Sequence, residues 1–286
     1  MRNCLQILVC GLVFMISSCN KEKLKAPEAS YLRIDTADVL ITQPNSQGTA
    51  SSKITDIWVY VDSKFKGAFP VGNLIPIASS GSTDIQIYGG IKNNGISATR
   101  MPYYFLQGLD VNLELKPSQT VYMHPKFPYK TSTVFHQIEN CEPGGSSFEN
   151  APDTDIPFTI ITASTSAASN IFEGQGSLSM SMTDALPVCK VRSANTYTLP
   201  IAGSTVYMEL NYKTNQQIEV GINNDGGDRP ALTINPSDGE WKKIYVRLTD
   251  VVSEQPTYTY SRIYIKATKQ VSSPEIYIDN VKLISE

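Results

Sequence analysis

The side chains that could do chemistry in this 286-residue chain are few. It has two histidines, His124 and His136, and five cysteines. His124 precedes Pro125, His136 falls in an apolar alternating run, and neither has a recognisable nucleophile beside it. There is no His-Glu-x-x-His, no Gly-x-Ser-x-Gly, no phosphate-cradling glycine loop and no Cys-x-x-Cys. The sequence therefore points away from an enzyme. A glycoside hydrolase with an unrecognised carboxylate pair stays as an alternative, because that chemistry needs only two carboxylates at a set separation. What remains suits binding. Asn223, Asn224 and Asp225, with Tyr258 and Tyr260, combine amides, a carboxylate and aromatic faces that fit a polyhydroxylated ligand. The plain alternative for residues 223–228 is a β-turn. A second stretch, residues 89–104, places Asn93-Asn94-Gly95 between Lys92 and Arg100 and ends in Tyr103-Tyr104. It reads either as a recognition loop or, with more weight, as a long hairpin whose tyrosines cover the sheet edge. Trp241 begins an alternating strand and is expected in the core.

These groups need strands to position them. Residues 54–62 alternate cleanly, with Ile57, Val59 and Val61 on one face and Trp58 and Tyr60 on the other. Period-two runs recur at 84–88, 111–115, 120–123, 177–182, 206–212, 218–222, 241–248, 262–266 and 275–284. Turn residues separate them, and no helical period appears. The expected fold class is all-β, with two antiparallel β-sandwich domains at 31–128 and 129–286. Formal net charge is −3, without the basic stripe a nucleic-acid partner calls for.

The first residues have a different layout. A basic start, Met1-Arg2-Asn3, leads into an apolar run over 5–15 and then Ile16-Ser17-Ser18-Cys19. This is the plan of a cleaved secretory leader, too short in its apolar part to remain as a span. The small-small-Cys ending resembles the lipobox of bacterial lipoproteins. That resemblance implies a signal peptide over 1–18, acylation of Cys19 (palmitate among its chains), and attachment to membrane lipid. Residues 19–30 then form a lipidated flexible stalk. Its Asn20-Lys21-Glu22-Lys23-Leu24-Lys25 resembles the surface-export signal of Bacteroidota lipoproteins, which implies the outer membrane, facing the cell surface. Asp35-Thr36-Ala37 resembles that group's O-glycosylation motif, with Thr36 as acceptor; the bland reading is a strand end.

With the leader removed and Cys19 acylated, Cys141 and Cys189 remain. An exported compartment permits a disulfide between them. It would close a loop of about 49 residues and add on the order of 4 kcal/mol. Two separately buried thiols are the equal alternative.

Residues 31–125 loosely resemble immunoglobulin-like and PEGA-like surface modules. Residues 134–286 resemble the galactose-binding-like jelly roll of carbohydrate-binding modules. The likeness rests on Ile138-Glu139-Asn140-Cys141-Glu142, on Gly239-Glu240-Trp241-Lys242-Lys243-Ile244-Tyr245-Val246 and on Ile276-Tyr277-Ile278-Asp279-Asn280-Val281. It implies a jelly roll for the second domain. It also implies a structural Ca2+ near the meeting of first and last strands, with Glu142 and Asp279 as ligands, and no other cofactor. The functional expectation is a non-catalytic lipoprotein displaying β-sandwiches at the surface and binding polysaccharide. The rival is a structural accessory subunit of an outer-membrane protein complex.

Overall fold

A computed structural model describes residues 28–201, 203–224, 226–254 and 260–286. The leader, Cys19, most of the stalk, Asp225 and Tyr258 lie outside the described residues. The described chain is nearly all strand, with short helices only at Pro44–Gln47, Ala168–Asn170 and Thr249–Ser253. None of them is long and apolar enough to cross a membrane.

The first half folds into a sandwich around Leu32, Ile34, Ile57, Val59, Ile85 and Ile87. Its larger sheet runs Lys64–Pro70, Asp56–Val61, Gly81–Lys92, with Arg100–Pro102 and Leu109–Leu115 both pairing the long Gly81–Lys92 strand. Opposite it lie Leu74–Ile77, Ser30–Ile34 and Thr120–Met123. The sandwich is not purely antiparallel, as alternation alone suggests. Ser30–Ile34 runs parallel to Thr120–Met123, and Asp38–Leu40 runs parallel to Lys126–Pro128. Alternation fixes which side chains face the core, not the direction of the neighbouring strand.

The second half is a sandwich of two six-stranded sheets. One is built on Ile276–Ser285, which pairs with Val134–Glu139, Gly176–Ser179 and Val206–Thr214. The other is built on Tyr260–Thr268, flanked by Val188–Ser193 and Ile218–Asn224. Between them lies a core that includes Met208, Leu210, Val220, Ile265 and Leu283.

That core holds Cys141 and Cys189 as separate buried thiols, which corrects the bridge. Cys141 follows the Val134–Glu139 strand with φ 55°, and its thiol meets the backbone at Leu178. Cys189 sits in the facing sheet, against the hydroxyl of Thr154. Burial pushes both thiols up, Cys189 to about 12, so neither is a ready thiolate.

The two sandwiches share a seam. In Val206–Thr214, side chains alternate between the second core and the first sandwich. Val206, Met208 and Leu210 join the former, whereas Tyr207 joins the core cluster of the latter together with Tyr245 and Ile284. The sheet is thus buried on both faces. The turn at Asn93-Asn94-Gly95 is docked there, with Asn94 and Gly95 at positive φ. The Asn94 amide donates to Tyr245 O at 2.9 Å, the Arg247 amide donates to Asn94 Oδ1 at 2.8 Å, and Tyr207 donates to Asn93 Oδ1 at 2.9 Å. The stretch weighed as a recognition loop is therefore a clamp between the sandwiches.

Candidate functional site

At the centre of the seam Glu209 is buried. Its Oε1 accepts from Tyr103 at 2.7 Å and from Tyr129 at 3.0 Å, and Lys243 approaches Oε2 at 3.2 Å. Burial alone would raise the Glu209 carboxyl, but Lys243 and Lys282 outweigh it and hold it below the usual range. Lys282 donates to Thr49 O at 2.7 Å, and burial pushes its pKa down to about 8. This network spends its polar groups on holding the sandwiches together, so it is structural.

Three surfaces remain open. The first is the rim expected from sequence. Asn223 and Asn224 close the Ile218–Asn224 strand and reach a cavity of about 400 Å3 shared with Asp153, Lys190, Arg192 and Asp228. Most of the polar groups there already have partners. Asn223 donates to Asp228 at 2.7 Å, and Asn224 Oδ1 accepts the Gly226 amide at 2.8 Å. Lys190 is shared between Asp153 at 2.8 Å and Asp228 at 2.7 Å, and Arg192 pairs with Glu149. Asn223 pairs with Asp228 and Asn224 with Gly227 across the hairpin. Tyr260 is 66 % exposed at the start of Tyr260–Thr268 but does not line this cavity.

The second surface is a band of rings on the outer face of the first sandwich. Trp58 and Phe65 stack with centroids 5.4 Å apart and planes at 28°. Phe65 then meets Tyr60 at 5.1 Å, and Tyr60 meets Tyr88 at 5.6 Å. Register puts them side by side, because Trp58 faces Tyr88 and Tyr60 faces both Phe65 and Gln86. Two glycines make room for them. A Cβ at Gly90 would sit 2.9 Å from Trp58 Nε1, and one at Gly108 would sit 2.4 Å from the Tyr88 ring. The rings sit at mixed angles, Phe65 at 51° to Tyr60 and Tyr60 at 75° to Tyr88, and Phe65 is 50 % exposed. Beside them, Asp84, Gln86, Asp110 and Asn112 line a shallow cavity of about 330 Å3. The sequence showed Trp58 and Tyr60 on one strand face. It could not show Phe65 and Tyr88 joining them, since that depends on cross-strand register.

The third surface is a groove of about 330 Å3 on the seam, lined by Lys53, Lys92, Tyr212, Trp241, Lys242 and Lys243 among others. Trp241 is half-buried here, not in the core as expected. It precedes the Lys242–Arg247 strand, donates its indole N–H to Ser169 O at 3.1 Å, and packs on Phe172 with centroids 5.3 Å apart.

Glu142 and Asp279 do lie near one another. Burial pushes Asp279 up to about 7 against hydrogen bonds from Ser177, Asn280 and Glu173, and the charge of Glu142 adds to the rise. Those three donors take up the Asp279 carboxyl oxygens, while Glu142 accepts the Gln175 amide. Among the described residues no three His, Cys, Asp or Glu side chains gather for a metal. Calcium takes roughly six to eight oxygens, of which these two side chains would supply a part. Thr36 is exposed, with its hydroxyl 3.2 Å from His124 Nδ1. His136 Nε2 lies 2.8 Å from the buried Ser285 hydroxyl, and burial lowers its pKa.

No family model and no curated protein matches the chain. Solved structures similar to part of it include TmCBM61 in complex with beta-1,4-galactotriose, at 12 % identity and TM-score 0.33, covering 49 % of this chain and 87 % of that one. A CBM29-2 mutant complexed with mannohexaose is similar at 11 % identity and TM-score 0.36, covering 54 % and 93 %. The K2 cleaved adhesin domain of Lys-gingipain is similar at 11 % identity and TM-score 0.37, covering 54 % and 98 %.

Proposed function

We propose that this chain is a non-catalytic lipoprotein, anchored through Cys19 in the outer membrane and facing the cell surface, that binds a neutral polysaccharide. The observation that carries the reading is the Trp58–Phe65 stack, continued by Tyr60 and Tyr88, with acids and amides along its side. Ring faces pack against the C–H faces of sugar rings, while carboxylates and amides hydrogen-bond hydroxyls. Glycines at 90 and 108 leave room for the Trp58 and Tyr88 rings to settle in place before any ligand arrives, which lowers the ordering cost of binding. The test is electrophoresis of the full chain through gels containing neutral polysaccharides. Retardation is expected, with at least tenfold weaker retention in the Trp58→Ala/Phe65→Ala variant. No retardation on any polysaccharide sinks the reading. Co-purification with a crosslinked outer-membrane protein would then favour the accessory-subunit role. For the anchor, Cys19→Ala is expected to abolish palmitate labelling and release the protein from membranes.

A second reading places the sugar at the rim of Asn223, Asn224, Asp225, Tyr258 and Tyr260, supported by the cavity beside Asn223 and the exposure of Tyr260. If Tyr260→Ala removes retention while the Trp58→Ala/Phe65→Ala variant keeps it, the rim is the site.

A further inference from the structure

The seam groove has chemistry that neither the aromatic band nor the rim offers. None of its lining residues is acidic, and four are lysines. Lys242 pairs with Asp238 at 3.1 Å on the surface. Lys53 and Lys92 take part in no ion pair among the described residues. Lys243 differs again. Its side chain is only 2 % exposed and stands 3.2 Å from Glu209, yet its ammonium is aligned for no hydrogen bond. Such a buried donor group is costly unless something accepts from it.

An aromatic pair sits at the same groove. The Trp241 indole N–H is already satisfied by Ser169, so the ring is held in place and needs nothing polar from a ligand. Tyr212 lines the wall beside it. The two sides of the groove come from different sandwiches, Lys53 and Lys92 from the first, Tyr212, Trp241 and Lys243 from the second. The Glu209 network and the Asn93-Asn94 clamp hold those sides at fixed separation. The volume lies at the lower end of small-ligand pockets, roughly 300–1,000 Å3.

We propose that the seam groove is a second binding site, for a saccharide bearing a carboxylate or sulfate, with its ring on Trp241 and its anionic group toward Lys53, Lys92 and Lys243. A simple anion would use the lysines and leave the indole idle. A neutral sugar would use the indole and leave the ammonium groups without an acceptor. An acidic sugar uses both. This site is independent of the neutral-glycan reading, because it shares no residue with the aromatic band.

The experiment is electrophoresis of the full chain through gels containing polygalacturonate, dextran sulfate or neutral dextran. Retardation by one or both acidic polymers beyond that by dextran is expected, and the arm that retards names the anion. The Lys53→Ala/Lys92→Ala variant is expected to lose at least tenfold in affinity, and so is Trp241→Ala. Affinity is also expected to fall as salt rises from about 50 mM to about 300 mM, since exposed charges are screened. Lys53 and Lys92 carry no ion pair, so their variant is expected to melt with the wild type, which separates lost binding from lost fold. Equal retardation by dextran overturns the proposal, as does undiminished affinity in the double lysine variant. Loss with the lysines but not with Trp241→Ala overturns the saccharide in favour of a bare anion. Loss of acidic-polymer binding in Trp58→Ala/Phe65→Ala alone moves the ligand to the aromatic band and overturns the seam site.

Discussion

The first sandwich turns the outer face of its larger sheet to solvent, whereas the second spends the corresponding face of its Val206–Thr214 sheet on the seam. The exposed face collects rings, Trp58, Tyr60, Phe65 and Tyr88, with acids and amides beside them. The covered face collects Tyr207, Glu209, Asn211 and Tyr245, all buried. Both faces mix aromatic and polar side chains. They differ in where the polar atoms find partners: on the open face within the one sheet, as where Asn112 donates to Asp84 at 2.6 Å, and on the covered face across the seam. On the seam, Glu209 accepts from Tyr103 and Tyr129 and is ion-paired with Lys243, and Asn211 accepts from Ser51 at 2.7 Å. A face of this kind becomes an adhesive when a partner sheet supplies its hydrogen bonds, and a ligand platform when none does.

That contrast breaks most sharply at Glu209. Glu209→Ala leaves the Lys243 ammonium and two phenols without their shared carboxylate, and Lys282 without a neighbouring countercharge. The expected loss is about 3–5 kcal/mol in chemical denaturation, the scale for removing one partner of a buried charge set. Glu209→Gln should lose less, because it keeps an acceptor. If Glu209→Ala unfolds with wild-type stability, the seam is not held by its polar network.

On the open face the equivalent change is Gly90→Ala. Its Cβ meets Trp58 Nε1 and lifts the indole, for an expected cost of about 1–3 kcal/mol typical of overpacking. Neutral-polysaccharide retention should fall more than stability does. Retention unchanged by Gly90→Ala would mean that the position of the Trp58 ring does not matter.

Two buried titrations set the pH dependence of the second sandwich. Asp279 is raised to about 7, so the folded state binds more protons than the unfolded one between about 4 and 7. Its contribution is full below that window and lost as pH rises through about 7, at no more than about 1.4 kcal/mol per pH unit. Lys282 is lowered to about 8, so the unfolded state binds more protons between about 8 and 10. Its contribution therefore recovers as pH rises through that range. Thermal unfolding should show a falling limb that vanishes in Asp279→Asn and a rising limb that vanishes in Lys282→Met. Unchanged limbs in those variants would assign the titrations to other groups.

The thiols give the smallest effect. Without reductant, Cys141 and Cys189 should resist alkylation while folded and both label in denaturant. A bridged pair would label in neither state.

The strand pattern was legible because backbone geometry makes it local. Period-two runs such as 54–62 and 206–212 place alternate side chains on opposite faces whatever surrounds them, so the all-β class follows from the sequence. Asn93-Asn94-Gly95 likewise showed its turn, because positive φ selects those residue types. The second partner of each face was not legible. Val206–Thr214 alternates like a half-exposed strand, and nothing in its own residues says that Tyr103 and Tyr129, 106 and 80 positions away, will cap Glu209. Trp241 was expected in the core from its strand pattern, but it precedes the paired residues and falls on the seam groove instead. Cys141 and Cys189 could not be assigned from spacing, since bridging depends on the approach of two sheets.

By itself the sequence determined the strands, their inward faces and the composition of the turns, because these depend on steric and hydrophobic preferences between near neighbours. The tertiary structure alone decided which outward faces meet. It put Glu209 among tyrosines and lysines, left the Trp58 band open, and joined Lys53 and Lys92 to Trp241 across the seam. Those placements rest on register and on the docking of two sandwiches, and both are fixed only when distant segments bury their surfaces together.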